Sequence, residues 1–337
     1  MTIDSDGRQS QTPGSSITFE RVSKHYPGAE IASVNRVSLE VEPGAFVVLL
    51  GPSGCGKTTM LKMVNRLIDP SEGRILLDGE DIQAVRASEL RRRIGYVIQQ
   101  TGLFPHMRVA DNISVVPKLL GWKKDEISRR VDELLDLIGL PPTEYRHRYP
   151  TQLSGGQQQR VGLARALAVN PSMMLMDEPF GALDAITRSR LQGELLRIHR
   201  QLGQTILFVT HDIDEAVRLA DSIVVMRAGE IVQSGTPLDI VTNPADAFVS
   251  DLVGGGDALR RLGLIDVSSV MRRGGETSNI HHVVSADTDL RQVLDHFLRT
   301  GETAVGVEGE GGRADGTVDV ETIWEVAALA RERADRL

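Results

Sequence analysis

Cysteine occurs once in this sequence, at Cys55. An intramolecular disulfide is therefore impossible, and a Cys-rich zinc site has no ligands. A cytosolic compartment fits such a chain. No apolar run approaches the roughly 18 residues that a membrane-crossing helix needs. The opening MTIDSDGRQSQTPGSS is polar and lacks the apolar centre of a secretory leader. Any link to a membrane is thus expected to run through a partner subunit. Basic charge is also short: the formal net charge is -8. That disfavours non-specific nucleic-acid binding, because phosphate backbones need a basic footprint. Only 6 of the 38 Lys and Arg residues are Lys, none beyond Lys124, a bias better explained by GC-rich coding than by function.

What is present is an ordinary globular composition, 41% hydrophobic and 25% charged over 337 residues. That length holds one large domain and a smaller one. Residues 1–16 read as a disordered tail. Two β-rich stretches follow, ITFERVSKHY and SVNRVSLEV, ending at the turn Pro43-Gly44. Phe46–Leu50 is a continuous apolar run of strand length, and Met173–Met176 and Thr205–Val209 are of the same kind. Helical spacing between them, as in Leu183, Ile186, Leu191, Leu195, Ile198 and Leu202, predicts an α/β domain with a mainly parallel sheet. Residues 101–169 are strand-poor and predict an inserted helical subdomain. Ile223–Met226 and Glu230–Gln233 predict a hairpin around Arg227-Ala228-Gly229. A linker is expected over 253–265, a second compact unit over 266–329, and a tail over 330–337.

The densest chemistry follows the first apolar strand. Gly51-Pro52-Ser53-Gly54-Cys55-Gly56-Lys57-Thr58-Thr59 places glycines, a lysine and a hydroxyl between a strand and a helical run. That is the context a phosphate-binding loop requires. Its glycines let successive backbone N–H groups point at phosphate oxygens, and the following helix adds its positive end. Lys57 is expected to reach the β- and γ-phosphates of ATP, and the Thr58 hydroxyl to ligate Mg²⁺. Cys55 fills a variable slot and reads as a small spacer. Further on, Met173–Met176 delivers Asp177 and Glu178 at a strand's C-terminal end, the edge where ligands bind in α/β sheets. Asp177 suits the Mg²⁺ shell, and Glu178 suits the orientation or deprotonation of an attacking water.

Leu153-Ser154-Gly155-Gly156-Gln157, running on into QQRVGLARAL, resembles the signature of ABC-transporter ATPases. It also makes sense as a capped helix start that favours an anion. Within this resemblance, Tyr26 matches the aromatic that stacks on adenine, and Gln99 the glutamine that senses Mg²⁺ and the attacking water. Asp184, in Gly181-Ala182-Leu183-Asp184, matches the acid of the loop that crosses the dimer. His211 matches the switch histidine at the γ-phosphate. The resemblance implies a phosphate-loop ABC ATPase fold over 17–252, with a parallel core sheet, an antiparallel β subdomain and a helical subdomain. It also implies a head-to-tail homodimer in which Lys57 of one chain and Ser154–Gln157 of the other enclose each ATP. Two membrane-embedded permease subunits would be driven from the cytoplasmic face of the cell membrane. The segment TGLFPHMRVADNI resembles the part that receives them.

Within the family, IGYVIQQTGLFPHM, TQLSGGQQQRVGLARAL and MDEPFGALDAITR are most similar to the osmoprotectant importers. That group takes up glycine betaine, choline, carnitine or proline with a substrate-binding protein. The tail from about Asp266 resembles a single CBS module, a small α+β domain, with Leu290, Val293, Leu294, Phe297 and Leu298 as its helical core face. Gly316, Asp319 and Thr322 depart from the module's adenosine-binding pattern, which favours pairing over nucleotide sensing. Importers of polyamines, sugars or sulfonates, and soluble non-transport ABC ATPases, are the alternatives. The CBS-like tail speaks against the former. Missing coiled-coil heptads, zinc cysteines and a second cassette speak against the latter.

Overall fold

A computed structural model describes residues 14–98, 102–254, 258–273, 282–308 and 314–329. The chain divides into two compact units: Met1–Asp212 with Leu219–Ile231, and Ile213–Arg218 with Val232–Leu337. No helix among the described residues is long and apolar enough to cross a membrane.

The strands of the first unit are β1 Ile17–Lys24, β2 Val34–Val41, β3 Phe46–Leu50, β4 Glu72–Leu77, β5 Glu80–Asp81, β6 Ile94–Val97, β7 Met173–Asp177, β8 Thr205–Thr210 and β9 Ser222–Arg227. A further strand, β10 Glu230–Gly235, begins in this unit. The core sheet has the order β10-β9-β3-β8-β7-β6. β3 pairs in parallel with β8 and β9, and β7 with β6 and β8. Every side chain of β3, β7 and β8 is buried, as the apolar runs require of strands covered on both faces. A second sheet, β2-β1-β4-β5, is antiparallel throughout.

Between β6 and β7 lie the helices Val109–Leu119, Lys124–Leu137, Pro142–Tyr145 and Gly155–Ala166. They form the helical subdomain that the strand-poor sequence predicts. Helix Lys124–Leu137 buries Ile127, Val131, Leu134 and Leu135, one stripe at three- and four-residue spacing, while Arg130 reaches the carbonyls of Leu167 and Ala168. Each such burial stabilises by about 1.5–3 kcal/mol. The long helix Ala185–Leu202 starts where Asp184 accepts the Thr187 N–H at 3.0 Å, and stops at Gly203 in the left-handed region.

The second unit holds β11 Arg272–Arg273, β12 Val283–Val284, β13 Ala304–Glu308 and β14 Ala314–Asp319 in the order β11-β14-β13-β12. Helices Leu290–Thr300 and Val320–Leu329 accompany this sheet. Its core is Leu262, Val267, Leu290, Val293, Phe297, Val305, Val307, Val318 and Ile323.

The second unit takes in residues 232–252 of the span expected for the ATPase, and helix Pro237–Thr242 packs on helix Ala258–Leu262 within it. The stretch 253–265 is not merely a linker: that second helix lies inside it and Leu262 is buried. Leu298, assigned to the core face, is 79% exposed, since it falls one step around the helix from Phe297. Ser15 and Ser16, expected in a disordered tail, are tied down. Ser15 Oγ bonds Ser172 Oγ at 2.8 Å, and the Ser16 N–H donates to Asp78 Oδ1 at 2.8 Å. Residues 1–13 and 330–337 of the expected tails lie outside the described residues.

Candidate functional site

The loop 51–56 follows β3, Asp177 ends β7 and His211 follows β8, so three adjacent parallel strands aim their C-terminal ends at one place. Gly56 sits at φ +109, and a Cβ there would come within 2.4 Å of the Ser33 carbonyl. Only glycine permits that close approach. Helix Lys57–Val64 begins directly after it, and Thr59 Oγ1 bonds Ser33 Oγ at 3.0 Å, pinning the helix start to the segment before β2.

Lys57 is buried at 5% exposure. Its ammonium donates to the carbonyls of Gly51 at 2.7 Å and Pro52 at 2.8 Å, and lies 3.6 Å from the buried Cys55 Sγ. The charge is thus held over the loop by the loop's own oxygens. Thr58 Oγ1 donates to Asp177 Oδ1 at 2.9 Å. Burial raises the Asp177 carboxyl above the usual carboxylate range; the Thr58 bond opposes that rise and the Glu178 charge adds to it. The Tyr96 phenol is pushed up to about 12, by burial first and by Asp177 second.

A hydroxyl and a carboxylate oxygen at this separation suit Mg²⁺. Cis ligands at about 2.0–2.1 Å from an octahedral ion are themselves about 2.9 Å apart. No cluster of three or more His, Cys, Asp or Glu able to hold a metal occurs among the described residues. That is compatible with an ion that takes one or two protein oxygens and completes its shell with phosphates and water.

Glu178 stands at φ +47, its N–H bonded to the Val209 carbonyl at 3.0 Å. Its Oε1 lies 3.0 Å from His211 Nδ1. The carboxylate side chain is 20% exposed and the imidazole 61%. A left-handed backbone at a non-glycine residue is strained, and here it turns the chain sharply after β7.

Tyr26, just past β1, is 41% exposed. Lys24 Nζ sits 5.5 Å from its ring centroid and donates to the Asp69 carbonyl at 2.6 Å. Ser154, Gly155, Gly156 and Gln157 open helix Gly155–Ala166. The Gln157 N–H donates to Ser154 Oγ at 3.3 Å, the Ser154 N–H to Gln157 Oε1 at 2.9 Å, and Gln157 Nε2 to the Tyr145 hydroxyl at 3.2 Å. Asp184, expected at the dimer crossing, caps its own helix; bonding to the Thr187 N–H holds its carboxyl below the usual range. Gln99 lies outside the described residues.

The structure thus brings Lys57, Thr58, Asp177, Glu178 and His211 together through direct contacts and adjoining strands. Ser154–Gln157 bond among themselves and to Tyr145. Three residues escaped sequence reasoning: Lys24, Tyr145 and Gln159. Gln159 shows itself only once its burial is known, since a buried amide needs partners.

The ABC transporter family matches over residues 34–181. The glycine betaine/carnitine/choline transport ATP-binding protein OpuCA of Bacillus subtilis (strain 168) is 50% identical over 308 residues, 91% of this chain and 79% of that protein. The chain belongs to the ABC transporter family. As an ABC ATP-binding protein it is an ATPase. This ABC ATPase is also 48% identical over 303 residues to the glycine betaine uptake system ATP-binding protein YehX of Escherichia coli (strain K12), covering 90% of this chain and 97% of that one. Among solved structures, a dimeric ATP-binding cassette in a post-hydrolysis state with ADP and Pi matches at a TM-score of 0.62 and 34% identity. It covers 66% of this chain and 98% of its own.

Proposed function

We propose that this ABC ATPase energises uptake of quaternary-amine osmoprotectants: glycine betaine, choline, carnitine or proline. The observation that carries the reading is about 50% identity, along nine-tenths of the chain, to relatives named for glycine betaine, carnitine and choline, not for proline. It works at the cytoplasmic face of the cell membrane as a head-to-tail homodimer, with two permease subunits and a substrate-binding protein. The dimeric state of the solved relative supports that assembly.

In the closed dimer, Lys57 exchanges its loop carbonyls for phosphate oxygens, and Tyr26 stacks on adenine. The start of helix Gly155–Ala166 in the partner, with Ser154, Gly155, Gly156 and Gln157, covers the γ-phosphate. Thr58 Oγ1 and the Asp177 carboxylate would hold Mg²⁺, which would supply charge neutralisation at the β- and γ-phosphates; Gln99 is assigned to the same shell by the family resemblance alone. Glu178 accepts the proton of the attacking water, and His211, through Nδ1, fixes the carboxylate while its other nitrogen is free to face the phosphate. Asp184, at the start of its helix, lies on the loop that crosses the dimer. ATP binds the closed dimer better than the open one, and loss of γ-phosphate contacts removes that preference. The second unit is proposed to be a CBS-like pairing module. Its Asp319 caps helix Val320–Leu329 through Thr322, at 2.8 Å from the N–H and 2.7 Å from the hydroxyl, rather than standing ready for a ribose.

Deletion of the gene, followed by uptake of labelled betaine and choline after osmotic upshift, tests the substrate class. Uptake falls in the deletion strain on this reading. Unchanged uptake in a strain without a second betaine or choline importer would assign the ATPase to another solute.

A further inference from the structure

Gln159 lies one turn into the helix that begins at Ser154 and is 5% exposed. Its side chain leaves that helix and spans the loop after β7. Nε2 donates to the Glu178 carbonyl at 3.1 Å, and Oε1 accepts the Ala182 N–H at 3.2 Å. Both polar atoms of a buried amide are therefore spent on backbone, at the two ends of one turn. The turn also closes on itself, since the Gly181 N–H donates to the Glu178 carbonyl at 3.2 Å.

A second contact runs beside it. A Cβ on Gly156 would stand 3.1 Å from Leu183 Cδ2 and 3.5 Å from the Ala182 carbonyl. The helix start and the loop 178–183 are thus packed backbone against backbone, with Gln159 as the polar tie across the seam. What it ties is the residue held at φ +47. An over-determined surrounding is what keeps such a backbone in place.

We propose that Gln159 is a positioning residue that holds the Glu178 loop to the signature helix and so couples the two ATP sites of the dimer. The inference rests on the assignment of Glu178 to the attacking water and of Ser154–Gln157 to the partner's nucleotide. One end of the tie then belongs to the chain's own site and the other to its partner's. A shift of the helix start, as it closes on the partner's γ-phosphate, passes through the amide to the Glu178 carbonyl. The carboxylate is carried with its backbone, and the His211 Nδ1 contact at 3.0 Å limits how far its side chain can compensate. Each site is poised for hydrolysis when the other is filled.

The full chain is assayed with Gln159→Met, which keeps length and removes both hydrogen bonds, beside Glu178→Gln. On the proposal, Gln159→Met lowers kcat about 10- to 100-fold, in the range that slight misplacement of a catalytic group costs. KM for ATP stays within about two-fold, and the Hill coefficient for ATP falls below the wild-type value toward about 1. Loss of turnover in Glu178→Gln together with unchanged kcat and Hill coefficient in Gln159→Met overturns the inference alone. Normal turnover in Glu178→Gln overturns the role of Glu178 and the inference with it.

Gln159→Glu decides the matter should the methionine variant fold poorly. Ionised, the introduced carboxyl still accepts from Ala182 but repels the Glu178 carbonyl; protonated, it donates to that carbonyl and restores the tie. Burial raises its pKa, so the ratio of its kcat to the wild-type value climbs as pH falls. Wild type is assayed over the same pH range, with Glu178, His211, Asp184 and Asp212 on neighbouring segments common to both chains. A ratio flat across pH overturns the proposal.

Discussion

Glu178 Oε1 and His211 Nδ1 lie 3.0 Å apart, on loops that leave two neighbouring strands of the core sheet. The pair joins a half-buried acid to an exposed imidazole. On the proposed function, this contact is what orients the carboxylate toward the attacking water.

Glu178→Gln keeps the shape of the pair and removes the basic oxygen. Steady-state ATPase activity is expected to fall by about 10²- to 10⁴-fold, the usual worth of a general base. ATP binding persists, and size-exclusion chromatography with ATP and Mg²⁺ shows a trapped dimer. Turnover at the wild-type rate would remove Glu178 from the chemistry.

Asp177 is a buried acid whose pKa is raised chiefly by desolvation. An acid with a raised folded pKa costs stability as pH rises above its unfolded value, about 3.9. Asp177→Asn is therefore expected to raise the melting temperature at neutral pH, with the gain fading as pH falls toward that value. The same variant loses the extra stabilisation that Mg²⁺ adds to ATP. Calorimetry with and without Mg²⁺ checks both halves, and a lower melting temperature at neutral pH contradicts the first.

At the opposite end of the sheet, Asp221 accepts the Phe46 N–H at 2.8 Å and lies 3.7 Å from His199 Nε2. Its carboxyl is held below the usual range, first by the nearby His199 imidazole. Stability from this group is present above the unfolded pKa and lost as pH falls through the lower folded one. Asp221→Ala is expected to lower the melting temperature by about 2–4 °C per kcal/mol lost at neutral pH, with the difference closing in acid. Melting curves from neutral pH down into the acid range read it; a gap that widens in acid would reverse the sign.

Leu134 is 1% exposed on the buried stripe of helix Lys124–Leu137. Leu134→Ala is expected to cost about 2–5 kcal/mol by removing apolar contacts and leaving a cavity. Denaturant unfolding measures it, and a cost under about 1 kcal/mol would mean the helical subdomain collapses into the gap.

The parallel sheet and the phosphate loop were legible because their signals are local. Phe46–Leu50 needs only five apolar letters to declare a doubly covered strand, and Gly51–Thr59 follows it without interruption. Asp177, Glu178 and His211 were legible by position after such strands. Gln159 was not, because its two bonds reach residues 19 and 23 positions away and leave no period in the sequence. The Tyr145 hydroxyl likewise meets Gln157 across 12 positions, with no period to mark the pair. Leu298 misled because an i, i+3, i+4 pattern marks a stripe without saying how wide the neighbour covering it is.

The bonds from Lys57 to the carbonyls of Gly51 and Pro52 have a kinetic consequence. A buried ammonium stripped of partners would be costly, and an enzyme whose product left such a charge behind would cling to that product. On the proposed function, the Gly51 and Pro52 carbonyls give the cation a second set of acceptors, so a departing nucleoside diphosphate would not leave it unpartnered. Nucleotide entry would then be an exchange of acceptors, and the speed of release would be set by the same few atoms that do the binding.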